Sequence, residues 1–542
     1  MAPTFIAAME AAKMIDDGVV LWIEGGSGGL SEPGALYSAV SARFEAEGHP
    51  RDLTLVHSNG IGDGKGRGPD LFAREGLLRK SIAGHLGFSP RLVEMINAEK
   101  IEGYNLPQGT LAQLLREIAA GRPGLVTHVG LHTFADPRIS GGALNSISKD
   151  KLVEVIEIKG REYLLYPSFP LDVVFIRGTA ADEDGNITMD EEVTYLNMLS
   201  AAQAGHNCGG LVIAQVKRKV KRGSLDPRLV KVPGILVDYV VVDESQWQTF
   251  VSEYNPALCG AARVITDSPI ALALDERKVV ARRAAFELVP GVVNLGYGMS
   301  SSVADVANEE GLSEEIVLTI EQGATGGVPA SGLIFGCAFN PQAIVDQPNQ
   351  FDFYDGGGID ITFVGLAQAD QHGNVNVSKF GSRIAGAGGF INITQGAKRI
   401  VYCGTFTAGG LELEISGGLV HIRREGKIKK FVNEVEHITF SGRFAKQHAT
   451  PVLYVTERAV FELSPDGIIL REIAPGIDVE RDVLSQMEFR PLVPVMPKLM
   501  DRRIFRPEPM GIRDDILQKK NSRLAARRKA GSTVGLSALS GR

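Results

Sequence analysis

The feature that most constrains this chain is an internal echo. Leu171 to Met189 reads LDVVFIRGTAADEDGNITM, and Ile359 to Val377 reads IDITFVGLAQADQHGNVNV. The two align without a gap, setting Asp172 on Asp360, Phe175 on Phe363, Asp182 on Asp370 and Gly185-Asn186 on Gly373-Asn374. Each copy reads as a short buried strand, a D-x-x-G-N turn and a second short strand. Asp and Asn can bond local backbone there, while Gly admits positive φ. A second echo precedes the first. Ala11-Ala12 to Gly18-Val19-Val20 parallels Ala284-Ala285 to Gly291-Val292-Val293: a helix, a glycine stop and a β-branched strand. Each strand then enters a Gly-rich loop, GGSGG at Gly25 to Gly29 and GYGMSSS at Gly296 to Ser302. Two echoes in one order describe a duplicated chain. The wider spacing in the first copy assigns its extra material to His57 to Lys151.

Around these landmarks the strand-like runs LTLV, GLVIAQV, IVLTI and RIVYCGTF alternate with helical ones. Leu111 to Gly121 (LAQLLREIAAG) has apolar residues at helical spacing, with Thr110 and Gln113 as a candidate capping box and Gly121 as its end. Alternation of this kind predicts two related open α/β domains with largely parallel sheets. The expected boundaries are 1–265 and 266–518, the junction lying within Asn255 to Glu276, with a basic then Gly/Ser-rich flexible tail at 519–542.

Composition removes several function classes. A net charge of -7 excludes a surface that attracts nucleic acid or anionic membrane throughout, so neither is an expected partner. Cys208, Cys259, Cys337 and Cys403 form no CxxC pair, so zinc ribbons and thioredoxin-like motifs are unsupported. Met1 to Gly18 has no basic start with an apolar core, and no run of about 18 apolar residues occurs; the expected location is the cytoplasm. Gly25-Gly26-Ser27-Gly28-Gly29 satisfies G-x-S-x-G, but any GGSGG loop does so, and too few strands precede it for a hydrolase sheet. The same loop fails G-x-G-x-x-G at Ser31, and Gly64-Lys65 fails Walker A at Asn59 and Gly66. The ten histidines are scattered without a metal spacing. Lys217 to Arg222 (KRKVKR) reads as a solvated basic strand or loop.

One window carries sharper chemistry. Ile316 to Gly332, IVLTIEQGATGGVPASG, is a β-branched run that delivers Glu321 into a loop with Gly323, Gly326 and Gly327. Ligands of open α/β sheets sit beyond the carboxyl ends of strands, where such a carboxylate is reachable; a helix-capping or surface Glu fits the same window. Tyr104 to Thr110 places Gln108 just before a helix N-terminus. Ser382 to Phe390, SRIAGAGGF, clusters glycines whose N–H groups can form an anion nest. Each is ordinary loop chemistry by itself. Together they supply a carboxylate nucleophile and an oxyanion hole.

With GGSGGLSEPGAL, GHLGFSP, IEGYNLPQGTL, TIEQGATGGVPASG, DFYDGGGIDITFVG, HGNVNVSKFG and GAGGFINITQGAK, the chain resembles the family I CoA-transferases. It is most similar to the acetate/propionate or 3-oxoacid type with fused α and β halves, over about Phe5 to Asp515. The resemblance implies Glu321 as nucleophile, with Gln108 and the Gly388 N–H as oxyanion donors and Gly389 as the alternative amide. It also implies CoA contacts in the loops of Gly323, Gly326, Gly327, Gly386 and Gly389. Its substrates would be acyl-CoA and small carboxylates, its assembly a homo-oligomer, and its cofactors none beyond the CoA substrate. Gln322-Gly323 stands where succinyl-CoA:3-oxoacid relatives have Asn-Gly, a difference that bears on acyl preference. Lys65, Arg67, Lys379 and Arg383 are candidates for the CoA phosphates or plain solvent-facing charges. An acyl-CoA hydrolase on the same scaffold and a non-catalytic acyl-CoA sensor are the competing functions.

Overall fold

The computed structural model describes residues 2–265 and 272–519. In the first half, the strand Val20–Ile23 lies between Val173–Asp182 and Leu53–His57. Leu211–Val220, Tyr239–Val242 and Thr4–Phe5 extend the sheet on one side, Leu78–Ala83 and Glu102–Asn105 on the other. Every pairing along this path is parallel. In the second half, Ile316–Thr319, Gly291–Leu295, Ile361–Gly365, Ile400–Cys403 and Val452–Val455 lie side by side, again all parallel. Short antiparallel strands flank them at both edges.

The echo superposes these two arrangements strand for strand. Leu53, Val20, Val173, Leu211 and Tyr239 begin one parallel core; Ile316, Gly291, Ile361, Ile400 and Val452 begin the other in the same spatial order. What the first half adds is Leu78–Ala83 and Glu102–Asn105 at the sheet edge, plus a three-stranded sheet of Gly124–Thr127, Glu154–Ile158 and Arg161–Pro167. The added material therefore falls mostly in the expected interval and runs slightly past it.

The D-x-x-G-N turns match to the individual bond. Asp182 Oδ1 accepts from Asp184 N and Asn186 N at 3.0 and 2.9 Å. Asp370 Oδ1 accepts from His372 N and Asn374 N at 2.9 and 3.0 Å. Both asparagines then use Oδ1 on a distant glycine, Gly234 N at 3.0 Å and Gly442 N at 2.9 Å. The second echo needs one correction. Leu21 pairs with Val173, and Val293 with Ile361, so Val20 corresponds to Val292 rather than to Val293. The link from helix to strand is one residue longer in the first half, and a slip of one residue reverses which face a side chain takes.

Burial follows the topology. All ten residues of Val173–Asp182 are buried, as expected for a central parallel strand covered on both faces. Alternate residues feed two separate cores: Trp22, Val56, Val174 and Ile176 on one face, Leu21, Leu55, Val173 and Phe175 on the other. The halves also share cores, since Ala112 packs into the second half's cluster and Phe444 into a first-half cluster. Lys217 to Val220 is the end of a strand, with Lys217 and Arg218 paired to Glu191 and Lys219 over the Phe5 ring at 4.0 Å. The expected tail lies outside the described residues except for Lys519, which bonds Phe286 O. Among the described residues no helix is long and apolar enough to cross a membrane.

Candidate active site between the two halves

Glu321 projects from a tight turn at the carboxyl end of Ile316–Thr319. Ile320 N donates to Ala324 O at 2.9 Å, and Gly323 N to Ile320 O at 3.0 Å. Gly323 has φ +115°, and a Cβ on it would lie 2.0 Å from Val345 O; only glycine lets the chain fold back this closely. Gly326 and Gly327 likewise abut Gln342 and Phe339 of the same half, so these three glycines shape the turn that presents Glu321. Burial raises the Glu321 carboxyl above its ordinary 4.5, with bonds from Gln322 and its own backbone opposing that rise.

The other wall comes from the first half. Gln108 is the first residue of the helix Gln108–Ala119, with Pro107 as N-cap. The expected capping box is absent, because the helix starts before Thr110 and Gln113 is turned instead toward Asp352 and Asp355, at 3.1 and 2.9 Å. Gly109 meets the second half so closely that a Cβ would fall 2.3 Å from Phe351 Cδ1. The Gln108 side chain is 2% exposed. Its Nε2 donates one hydrogen to Asn59 Oδ1 at 2.8 Å, and the other hydrogen has no acceptor among the described residues.

The loop Ala385 to Gly389 stitches the walls together. Leu86 N and Gly87 N donate to Ala385 O, Ala387 N to Asn105 Oδ1 at 2.9 Å, Gly388 N to Gly84 O at 2.8 Å, and Gln108 N to Gly388 O at 3.0 Å. Ala385 N and Gly386 N both donate to Ser378 O. The expected anion nest is thus largely occupied by protein. Gly389 N–H is the amide of this run that donates to no described atom. The loop touches both functional side chains: a Cβ on Gly388 would lie 3.4 Å from Gln108 Oε1, and one on Gly389 3.4 Å from Glu321 Cγ.

Glu321, Gln108, Gly386, Gly388 and Gly389 therefore converge. The basic candidates do not gather here: Arg67 sits over the Phe250 ring at 4.4 Å and 3.8 Å from Asp63, and Arg383 is exposed in a hairpin with Lys379. Ser27 donates to Phe335 O at 2.9 Å, a structural bond with no base attached. The structure adds residues that the sequence reading left unassigned. His85 lies beside Gly388, where a Cβ on the glycine would stand 3.6 Å from His85 Cδ2. Burial pushes both His85 and His57 down to about 4. Both are neutral at pH 7. Asn392 accepts from Gly109 N at 3.1 Å and donates to Asp355 at 3.0 Å, which ties the helix that begins after Gly389 to the helix of Gln108. A small signal for one neighbour was present: Ser58-Asn59-Gly60 follows its strand as Glu321-Gln322-Gly323 follows the matching one.

Glu321 and Gln108 thus reach neighbouring residues of one loop, Gly389 and Gly388, from different halves of the chain. Comparison with known proteins shows the family. Residues 5–243 match the family model described as Coenzyme A transferase. Acetate CoA-transferase YdiF of Escherichia coli (strain K12) is 43% identical, covering 93% of this chain and 96% of its own length. Caffeate CoA-transferase of Acetobacterium woodii is 47% identical, covering 92% and 97%. The crystal structure of the acyl-CoA transferase YdiF apoenzyme from Escherichia coli O157:H7 superposes with a TM-score of 0.90 at 42% identity, over 94% of this chain and 97% of that one. The same enzyme, described as a thioester complex with CoA, superposes with a TM-score of 0.89.

Proposed function

Because this chain belongs to the coenzyme A transferase family, we propose that it moves CoA between a short-chain acyl-CoA and a carboxylic acid, with Glu321 as nucleophile. The observation that carries the proposal is the Glu321 side chain, through Cγ, set against Gly389 while Gln108 meets the adjacent Gly388 from the opposite half. Ionised Glu321 attacks the thioester carbonyl, and the oxyanion forms between the spare Gln108 N–H and a backbone amide. We give that amide role to Gly389 rather than Gly388, since the Gly388 N–H already donates to Gly84 O. Collapse expels the CoA thiolate and leaves an acyl-glutamyl anhydride. The thiolate then attacks the glutamyl carbonyl, which releases the first carboxylate and forms a glutamyl-CoA thioester. An incoming carboxylate reverses both steps.

Each step exchanges one anion for another, carboxylate for thiolate or the reverse, so no proton must be moved. The neutral His85 and His57 suit that chemistry: neither adds a charge that would tie up Glu321 as an ion pair. The thioester complex described for the relative supports a covalent intermediate here. Candidate acids are acetate, propionate and 3-oxoacids, with caffeate added by the second relative. The halves 1–265 and 266–518 as domains, a homo-oligomeric assembly and a cytoplasmic location belong to the same proposal; four free cysteines support a reducing compartment.

The test is intact-protein mass after mixing with acetyl-CoA alone, with and without borohydride, for wild type and Glu321→Ala. The expected result is a CoA-sized adduct at Glu321 that added carboxylate discharges and the variant lacks. Acetyl-CoA consumed without an adduct or acceptor would replace the transferase cycle with hydrolysis.

A further inference from the structure

The strand register puts Ser58 in the first-half place that Glu321 holds in the second. Thr54 pairs with Val20 as Val317 pairs with Val292, and four residues further along stand Ser58 and Glu321. Asn59 then matches Gln322, and Gly60 matches Gly323. One copy of the turn carries a nucleophile; the other carries a neutral Ser-Asn pair whose side chains face inward.

Those side chains belong to a continuous buried chain of hydrogen bonds that ends on Gln108. Glu24 Oε1 accepts from Trp22 Nε1 at 2.6 Å, and Glu24 Oε2 from Asn197 Nδ2 at 3.2 Å. Asn197 Nδ2 also donates to Ser58 Oγ at 2.9 Å, and Asn59 Nδ2 donates to the same oxygen at 3.1 Å. Asn59 Oδ1 accepts from Gln108 Nε2 at 2.8 Å and from Gln347 Nε2 at 2.6 Å, while Gln347 Oε1 accepts in return from Asn59 Nδ2 at 3.1 Å. Glu24, Ser58, Asn59, Gln108, Asn197 and Gln347 are each no more than 2% exposed.

A carboxamide turned by half a revolution keeps its shape and exchanges its donor for its acceptor. Only its neighbours decide which way it faces. In this chain the bonds start at Glu24, whose carboxyl burial pushes up to about 7 and whose ionised form offers lone pairs and no hydrogen. Asn197 presents its nitrogen to Glu24 and to Ser58. Ser58 Oγ takes a second hydrogen from Asn59 Nδ2, which leaves Asn59 Oδ1 facing Gln108. Gln108 must then present Nε2, because the flipped amide would set two buried oxygens against each other. With one N–H held by Asn59, the planar group fixes the direction of the second.

We propose that Asn59, supported by Ser58, Asn197 and Glu24, is the positioning residue that sets the orientation of the Gln108 carboxamide as an oxyanion donor. The first half has thus turned its copy of the nucleophile turn into the holder of the amide that serves the other copy. The inference rests on Gln108 acting in that role.

A double-mutant cycle tests it, on the acyl-CoA and carboxylate pair that wild type exchanges fastest among acetate, propionate, 3-oxobutyrate and caffeate. Asn59→Ala is expected to lower kcat about 10- to 100-fold, as loosened catalytic geometry does, with KM for the acyl-CoA within about twofold. In a Gln108→Ala background the same change is expected to alter kcat less than about twofold, because its target is gone. Equal losses in both backgrounds would make Asn59 a structural residue and overturn the proposal; so would a wild-type kcat for Asn59→Ala. If Asn59→Ala does not fold, Ser58→Ala is put through the same cycle, with an expected loss of roughly three- to tenfold confined to the Gln108 background. A Gln108→Ala enzyme at wild-type rate would instead remove Gln108 as donor, a failure visible before Asn59 is touched.

Discussion

At Gly389 one added methyl group would meet the proposed nucleophile. The glycine's φ of -78° is open to any residue, so alanine costs little in backbone strain. Its Cβ, however, would stand 3.4 Å from Glu321 Cγ, 3.4 Å from Phe351 Cζ and 3.3 Å from Ile393 Cδ1. Gly389→Ala is expected to keep a Tm within a few degrees of wild type while losing at least about tenfold in kcat/KM, because the nucleophile is crowded where the oxyanion must form. A folded, fully active variant would move the reacting carbonyl away from Gly389. The Glu321 titration makes a second expectation at this scale. Burial favours the protonated acid, and only the carboxylate attacks. The acid limb of kcat/KM is therefore expected above 4.5, the ordinary glutamate value, and a pH profile of the free enzyme measures it.

Among the elements, the twin D-x-x-G-N turns tie remote segments of each half together. Asp182 and Asp370 each collect two backbone N–H groups and an Asn amide, and each Asn then anchors a remote segment. Asp182→Ala is expected to destabilise the protein by about 2 kcal/mol, the scale of buried bonds to a charged acceptor, read by denaturant unfolding. For Asp182, burial opposes ionisation, but the Asn186 and Asp184 bonds carry the net shift below 3.8. A carboxylate lowered in the folded state stabilises above its unfolded pKa and loses that contribution as pH falls. The gap between variant and wild type should therefore close below about pH 4.

These turns were legible in the sequence because the Asp, Gly and Asn that close each one lie within five residues. The kinship of the two α/β halves followed from the same echo, and their shared strand order did not. The occupied nest was not legible: the amides of Ala387 and Gly388 find partners at Asn105 and Gly84, 282 and 304 positions back along the chain. Nor was Gln347, which meets Asn59 across 288 positions. The capping box failed for a related reason. Gly109 packs against Phe351 of the other half, so tertiary contact carries the helix start past the local signal at Thr110. The places of Glu321 and Gln108 at the ends of regular elements could be read from local pattern, whereas their proposed roles came with the family resemblance.

Taken whole, the molecule keeps the proposed nucleophile and the proposed side-chain oxyanion donor on different halves, and a strut between the halves runs from Gln108 N to Gly388 O. Catalytic competence is in that sense an association equilibrium that covalent continuity keeps saturated. Covalent connection of two modules can hold their surfaces at about millimolar effective concentration. Severing it would make readiness depend on how much protein is in the tube. With a protease site placed between Ile265 and Leu272, the nicked enzyme is expected to match the intact one when concentrated and to fade on dilution, recovering when concentrated again. Activity per molecule that stayed constant from micromolar to picomolar would show that the interlocked cores, Ala112 in one and Phe444 in the other, need no tether. The chain would then be a heterodimer whose two subunits happen to share one gene, and its peptide link a matter of supply in equal numbers rather than of catalysis.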